Sequence, residues 1–64
     1  MNTKTDRLNQ IKRIILDSKI ASQEELLESL RNSGYELTQA TLSRDLKELR
    51  VGKLADPAKG SVYV

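Results

Sequence analysis

Apolar residues recur early in the chain at the spacing of an amphipathic helix. Leu8, Ile11 and Ile15 stand at i, i+3 and i+7, so their side chains line one side of a helix. Thr5 or Asp6, just before this run, can supply the side-chain oxygen that caps the first turn. The pattern predicts a first helix that begins at one of these two residues.

A second helix has the clearest start signal in the chain. Ser22 and Glu25 match a capping box, in which the serine oxygen accepts from the amide three residues on and the glutamate reaches back. Its apolar stripe is Leu26, Leu27 and Leu30. Gly34 then offers the left-handed conformation that commonly ends a helix.

A third helix is predicted from Gln39 to about Arg50, with Thr38 as its N-cap. Leu42, Leu46 and Leu49 give it an apolar stripe at i, i+4 and i+7. At about 1.5 Å per residue such a helix is roughly 20 Å long, a length that suits a DNA major groove.

The pattern changes after the third helix to that of a β-hairpin. Val51–Ala55 and Ser61–Val64 are typical of strands, and Asp56–Gly60 between them carries proline and glycine, as turns do. Three helices followed by a hairpin is the order of a winged helix-turn-helix, a mainly α fold with a small β-hairpin. We expect residues 1–64 to form one such domain.

The third helix has three distinct faces when its residues are placed at about 100° intervals from Leu42. Leu46 and Leu49 fall within about 40° of that direction and form an apolar face. The opposite side carries Ala40, Ser43, Arg44 and Lys47, with Arg50 at its border. Asp45 and Glu48 fall on the remaining flank. Such a helix can offer cations to a DNA groove while its carboxylates stay away from the phosphates.

These positions give candidate DNA contacts. Arg44 is the best candidate for a bidentate contact with guanine, and Gln39 can read adenine. Small Ala40 lets the helix backbone approach the duplex, whereas Ser43 and Lys47 are expected to meet phosphate. The predicted recognition-helix contacts are Gln39, Ala40, Thr41, Ser43, Arg44 and Lys47, and the predicted phosphate and wing contacts are Thr38, Arg50, Lys53 and Lys59.

Composition narrows the function classes. The chain has no Cys and no His, which excludes disulfides, zinc-finger ligation and thiol or imidazole catalysis. The acidic cluster Glu24, Glu25 and Glu28 is explained by helix-start electrostatics, so we expect neither a metal site nor an enzyme. The formal net charge of +2 is a weak indication of a polyanionic partner. The longest bulky apolar run, residues 14–16, is far below a membrane span, so a cytoplasmic, soluble protein is expected.

A different function class fits the same fold. Many winged helices bind proteins rather than DNA, so a protein-interaction module is the alternative reading. The basic face of the third helix separates the two, because a DNA reader loses affinity steeply as salt rises. An interaction module would bury apolar anchors, and the exposed face of this helix has none to spare.

The segment from Gly34 to Leu49, GYELTQATLSRDLKEL, closely resembles the signature of bacterial arginine repressors, which is roughly G-Y-x-V-T-Q-A-T-V-S-R-D-I-K-E-L. The departures are Leu37, Leu42 and Leu46, each of which replaces one apolar residue of the signature by another. Residues 22–26 and 53–63 also look like the second helix and wing of that family, so the resemblance covers nearly the whole chain.

The resemblance implies an N-terminal winged-helix domain that binds operators of arginine biosynthetic and catabolic genes. It associates Ser43 and Arg44, the Ser-Arg pair of the motif, with operator binding. In that family L-arginine is the corepressor, bound by a C-terminal domain that assembles trimers and hexamers. We therefore expect residues 1–64 to lack the arginine site and to be monomeric, and the full-length protein to be a homo-hexamer.

Overall fold

The computed structural model describes residues 3–64 and contains three helices followed by a two-stranded antiparallel hairpin. The elements are α1 (Lys4–Asp17), α2 (Gln23–Asn32), α3 (Gln39–Glu48), β1 (Lys53–Asp56) and β2 (Gly60–Tyr63). This order confirms the predicted winged-helix architecture. Of the predicted domain, Met1 and Asn2 lie outside the described residues.

The first helix begins earlier than predicted, because Thr3 is its N-cap rather than Thr5 or Asp6. The Oγ1 atom of Thr3 accepts from the amide of Asp6 at 3.2 Å, and Asp6 Oδ2 accepts from the amide of Thr3 at 3.4 Å. Thr3 and Asp6 thus form both halves of a capping box. A cap at Thr5 would place Leu8 at the third helical position, where its side chain has no oxygen to return the bond.

The second helix begins at the predicted cap, although its capping box is only half formed. Ser22 Oγ accepts from the amide of Glu25 at 3.2 Å. The carboxylate of Glu25 accepts instead from the amide of Ala21 at 3.3 Å and from Lys59 Nζ at 3.3 Å. The glutamate therefore connects the start of α2 to the preceding linker and to the hairpin turn.

The end of α2 has the paired backbone bonds of a Schellman motif. The amide of Tyr35 donates to the carbonyl of Leu30 at 2.8 Å, and the amide of Gly34 donates to Arg31 at 3.0 Å. Gly34 has φ +93°, the left-handed conformation that this motif requires. The predicted glycine stop is confirmed.

The same motif ends α3 two residues before the predicted end, and here the left-handed residue is Arg50, with φ +57°. The amide of Val51 donates to Leu46 at 3.0 Å, and that of Arg50 donates to Lys47 at 3.1 Å. Arg50 therefore lies beyond the helix and not on its face. It occupies the position that Gly34 has after α2, without the freedom of a glycine.

The apolar stripes of all three helices meet in one core, as predicted. Its buried residues are Ile11, Ile15, Ile20, Leu26, Leu30, Leu42 and Leu46. Leu8, Ile14, Leu27, Tyr35, Leu37, Leu49, Val51 and Tyr63 pack around them, partly exposed. None of the helices formed by residues 3–64 has the length and apolar composition needed to cross a bilayer.

The hairpin pairs Leu54 with Val62 and Asp56 with Gly60. Its first strand begins at Lys53, two residues later than predicted, because Val51 completes the turn that ends α3. The backbone amide of Tyr63 donates to the carbonyl of Ile20 at 2.8 Å, so the linker before α2 supports the outer side of β2. This third segment gives a short hairpin the support that two strands alone lack.

Replacing Leu46, which is 6% exposed, by alanine should lower the free energy of unfolding by about 2–5 kcal/mol, because the change leaves a cavity in the core. A domain of this length has a stability of only about 3–10 kcal/mol, so the loss is a large fraction of the total and should lower the Tm clearly. Thermal and urea unfolding followed by circular dichroism measure the change. Leu16→Ala is the matched control: Leu16 is 83% exposed and should change stability by less than about 0.5 kcal/mol. Equal losses in both variants would contradict the packing described.

Arg50→Gly and Gly34→Ala should shift stability in opposite directions, because the two residues occupy the same left-handed position at the ends of α3 and α2. A glycine at Arg50 removes about 1 kcal/mol of backbone strain, which exceeds the weak attraction of an exposed cation to the helix end. That corresponds to a rise in Tm of about 4–8 °C. A Cβ at Gly34 meets no atom within 4 Å, so its cost is one of backbone conformation alone. A fall in Tm for Arg50→Gly would contradict the strain assignment.

Candidate nucleic-acid interface

Four of the six predicted recognition-helix contacts are exposed along one side of α3: Gln39, Ala40, Arg44 and Lys47. Within residues 3–64 the side chains of Gln39, Arg44 and Lys47 have no hydrogen bond or ion pair. The guanidinium of Arg44 and the ammonium of Lys47 are therefore available to a ligand. Arg50 is exposed as well, just after the helix.

The two acids of α3 are neutralised by cations of α1. Arg7 Nε lies 2.6 Å from Asp45 Oδ2 and Arg7 Nη2 lies 3.0 Å from Oδ1, a bidentate pair in which Asp45 is 4% exposed. The hydrogen bond that Arg7 donates to Asp45 raises the pKa of the Arg7 guanidinium. Glu48 Oε1 lies 3.0 Å from Lys4 Nζ at the surface. The free cations of α3 therefore lie on a helix whose own carboxylates are already paired.

The start of α3 uses the hydroxyls of two other predicted contacts. Thr38 Oγ1 accepts from the amide of Thr41 at 3.3 Å, and the hydroxyl oxygens of the two threonines are 3.1 Å apart. The first turn of α3 contains no acid, whereas the first turn of α2 contains Glu24 and Glu25. The partial positive charge of the α3 N-terminus is therefore not offset by its own sequence, which suits an approach to phosphate.

Ser43 is half-buried and its hydroxyl contacts another helix. Its Oγ atom donates to Gln23 Oε1 at 2.9 Å, which links the middle of α3 to the first residue of α2. Gln23 is a residue that the sequence analysis missed. The contact spans twenty residues of the chain, so no local pattern in the sequence indicates it.

The two wing lysines are bound to the linker between α1 and α2. Lys53 Nζ donates to the carbonyl of Ala21 at 2.7 Å and lies 4.7 Å from the centre of the Tyr63 ring. Lys59 Nζ donates to the carbonyl of Lys19 at 2.7 Å and pairs with Glu25 at 3.3 Å. Unlike Arg44 and Lys47, both ammonium groups are thus already engaged by the protein.

Asp56 fixes the turn of the wing. It is 8% exposed, and its Oδ2 atom accepts from the backbone amides of Ala58 at 3.1 Å and Lys59 at 3.0 Å. Its Oδ1 atom lies 3.0 Å from Lys19 Nζ, and this hydrogen bond is the main reason that the pKa of Asp56 is lowered. The carboxylate determines both the shape of the turn and its attachment to the linker.

Comparison with known families identifies the chain. A family model described as the arginine repressor DNA-binding domain matches residues 2–64. The chain belongs to this family. It is 55% identical over its whole length to the arginine repressor of Bacteroides thetaiotaomicron and covers 41% of that protein. It is 56% identical over 52 residues, 81% of the chain, to the arginine repressor of Exiguobacterium sibiricum, of which that match covers 35%. The chain thus spans about two-fifths of the length of the curated relatives that match it from end to end.

In this arginine repressor domain the motif between Gly34 and Leu49 contains both structural and exposed positions. Gly34 ends α2, Thr38 caps α3 and Asp45 binds Arg7, so the fold itself explains these residue types. Arg44 is exposed and makes no such contact within residues 3–64. Its role in contacting DNA stays a prediction, and no part of the fold requires an arginine there.

The attachment of the wing should make stability depend on acid pH. The pKa of Asp56 is lowered mainly by Lys19, and that of Glu25 mainly by the amide of Ala21. A carboxylate whose pKa is lowered by folding stabilises the folded state at any pH above its ordinary pKa. This contribution is lost as the pH falls through the pKa of the folded state. The free energy of unfolding should therefore fall below about pH 4–5.

Asp56→Asn tests this, since the amide keeps an acceptor for the turn but loses the charge that pairs with Lys19. We expect a lower Tm at pH 7 and a shallower fall of Tm between about pH 5 and pH 2. Asp17→Asn is the control, because Asp17 is exposed and has no partner within residues 3–64. An unchanged pH profile in Asp56→Asn would contradict the linkage.

Proposed function

We propose that this domain binds double-stranded DNA in a sequence-specific way through the exposed side of α3, as part of a transcriptional regulator of arginine genes. One observation carries the proposal: Arg44 and Lys47 are unpaired within residues 3–64, while both acids of α3 are paired with α1. Membership of the arginine repressor DNA-binding family supports the same function.

The recognition helix acts by placing donors at base edges. The long, exposed guanidinium of Arg44 contacts guanine O6 and N7 together, and the amide of Gln39 contacts adenine N6 and N7. Lys47 and Arg50 contact phosphates, which fix the register of the helix without reading sequence. Ala40 keeps the exposed side of the helix low enough for the backbone to approach the groove.

The wing lysines contribute phosphate contacts only through their remaining donors. An ammonium has three N–H groups. Lys53 uses one of them on Ala21, whereas Lys59 uses donors on both Lys19 and Glu25. Lys53 is therefore the stronger candidate for a wing contact to the DNA backbone.

The proposal extends to a longer protein of the same kind as the full-length arginine repressors that the chain matches. L-arginine acts there as corepressor, bound outside residues 1–64, and the full-length protein is a homo-hexamer in the cytoplasm. The isolated domain is a monomer that reads one half-site. Its binding is weak, because several linked domains supply avidity that one copy lacks.

A protein-interaction module is not favoured. Among residues 3–64, the large exposed apolar side chains are Leu16, Leu54 and Val64, none of which lies on α3. The exposed side of α3 is cationic and polar instead. The name of the family is that of a repressor and not of an enzyme.

Arg44→Ala should weaken binding by about 1–3 kcal/mol and relax the base preference at one position, because a bidentate base contact is lost. The probe is a duplex that the parent chain selects from a random-sequence library, titrated at about 50 and 200 mM salt. Arg13→Ala is the matched control, since it removes the same charge from the outer side of α1. Lys47→Ala should instead reduce the log–log salt slope by about 0.9 and leave base preference intact. Equal affinities of Arg44→Ala and Arg13→Ala would reject the assignment of α3 as the recognition helix.

A further inference from the structure

The hydrogen bond between Ser43 and Gln23 decides which of the two side chains can donate to DNA. A serine hydroxyl has one proton, and that of Ser43 is directed to Gln23 Oε1, 2.9 Å away. A phosphate oxygen only accepts hydrogen bonds. While this contact lasts, Ser43 offers lone pairs alone and has nothing to donate to a phosphate.

The amide of Gln23 has the opposite character. Its oxygen is occupied by Ser43, and its nitrogen carries two N–H donors that have no partner within residues 3–64. Oxygen and nitrogen project from the same planar carbon in different directions. An oxygen held against Ser43 therefore turns the nitrogen away from that contact, in a fixed orientation.

The pair lies at the border of the exposed side of α3. Ser43 stands three residues after Ala40 and four before Lys47, which makes it a neighbour of both on the helix surface. Gln23, the first residue of α2, is therefore placed beside the side of α3 that carries the free cations.

We propose that the amide of Gln23, and not the hydroxyl of Ser43, donates a hydrogen bond to a DNA phosphate. Ser43 acts through Gln23 as a positioning residue that orients the amide. The proposal rests on the proposed function, because it needs the exposed side of α3 to face DNA.

Four variants separate this role from a purely structural one. Gln23→Ala removes the donor and the link to Ser43, whereas Gln23→Glu keeps an acceptor for Ser43 and replaces the donor by an anionic oxygen. Ser43→Ala leaves the donor but frees its orientation. Gln10→Glu is the matched control for charge: Gln10 Nε2 donates to Ser33 Oγ at 3.3 Å, at the other end of α2.

Affinities are measured for the duplex that the parent selects and for a scrambled duplex, with Tm as the measure of folding. Gln23→Ala should weaken binding to both duplexes about tenfold, as expected for the loss of one hydrogen bond to phosphate, with an unchanged salt slope because the amide carries no charge. Ser43→Ala should lower the affinity less, by about threefold. In the Gln23→Ala background, Ser43→Ala should have no further effect. Gln23→Glu should bind at least about tenfold more weakly than Gln10→Glu, at a Tm close to that of the parent.

Two results would overturn the proposal while DNA binding itself stands. If Ser43→Ala still lowers the affinity about threefold in the Gln23→Ala background, Ser43 contacts the duplex directly. If Gln23→Glu binds as well as Gln10→Glu, the pair only joins two helices and the amide does not face DNA; this comparison holds even if Gln23→Ala fails to fold. A parent chain that selects no duplex and shows no salt-dependent binding would overturn the proposed function and this proposal together.

Discussion

The bidentate ion pair between Arg7 and Asp45 fixes the rotation of α3 about its own axis. The leucines of α3 alone define a broad apolar side, which tolerates some rotation. Asp45, which is only 4% exposed, does not tolerate such rotation, because a buried carboxylate is costly to desolvate unless both of its oxygens remain paired. Rotation by one residue, about 100°, would break both bonds and bring an anion toward the side that carries Arg44. The contact that orients the helix therefore also keeps its negative charge away from the proposed DNA.

The faces of α3 could be predicted from sequence because they depend only on helical period. Leu42 and Leu46 are buried and Arg44 is exposed, as the spacing indicated, and Asp45 lies on the predicted flank. The partner of Asp45 could not be predicted, since Arg7 is thirty-eight residues away. Local patterns fix which way a residue points on its own helix, and only tertiary packing decides what it meets there.

The errors at helix ends have a local cause. The third helix was predicted to run to about Arg50, because its apolar stripe continues to Leu49. The backbone nevertheless turns at Arg50, since Val51 must reach the carbonyl of Leu46 to close the end of the helix. The other error is the start of α1. Thr3 and Asp6, the two halves of its capping box, are both present in the sequence, but the apolar run beginning at Leu8 favoured a later start.

Sequence identifies which groups are able to donate hydrogen bonds, but not which of them are free to do so. Lys53, Lys59 and Ser43 were all predicted to meet phosphate, and all three donate to atoms of the protein. The reason lies in the size of the domain. A two-stranded hairpin has little stability of its own, and the linker before α2 supports it by accepting hydrogen bonds from Lys53 and Lys59, whereas Ser43 joins α3 to α2.

Such support need not remove these residues from function. An ammonium held by one carbonyl still has two donors, now in a fixed orientation, and a fixed donor loses less entropy on binding than a mobile one. By the same reasoning, the amide of Gln23 is oriented by Ser43 before any ligand arrives. The contact between α2 and α3 thus orients a donor next to α3, and the contacts that stabilise the wing orient its ammonium groups.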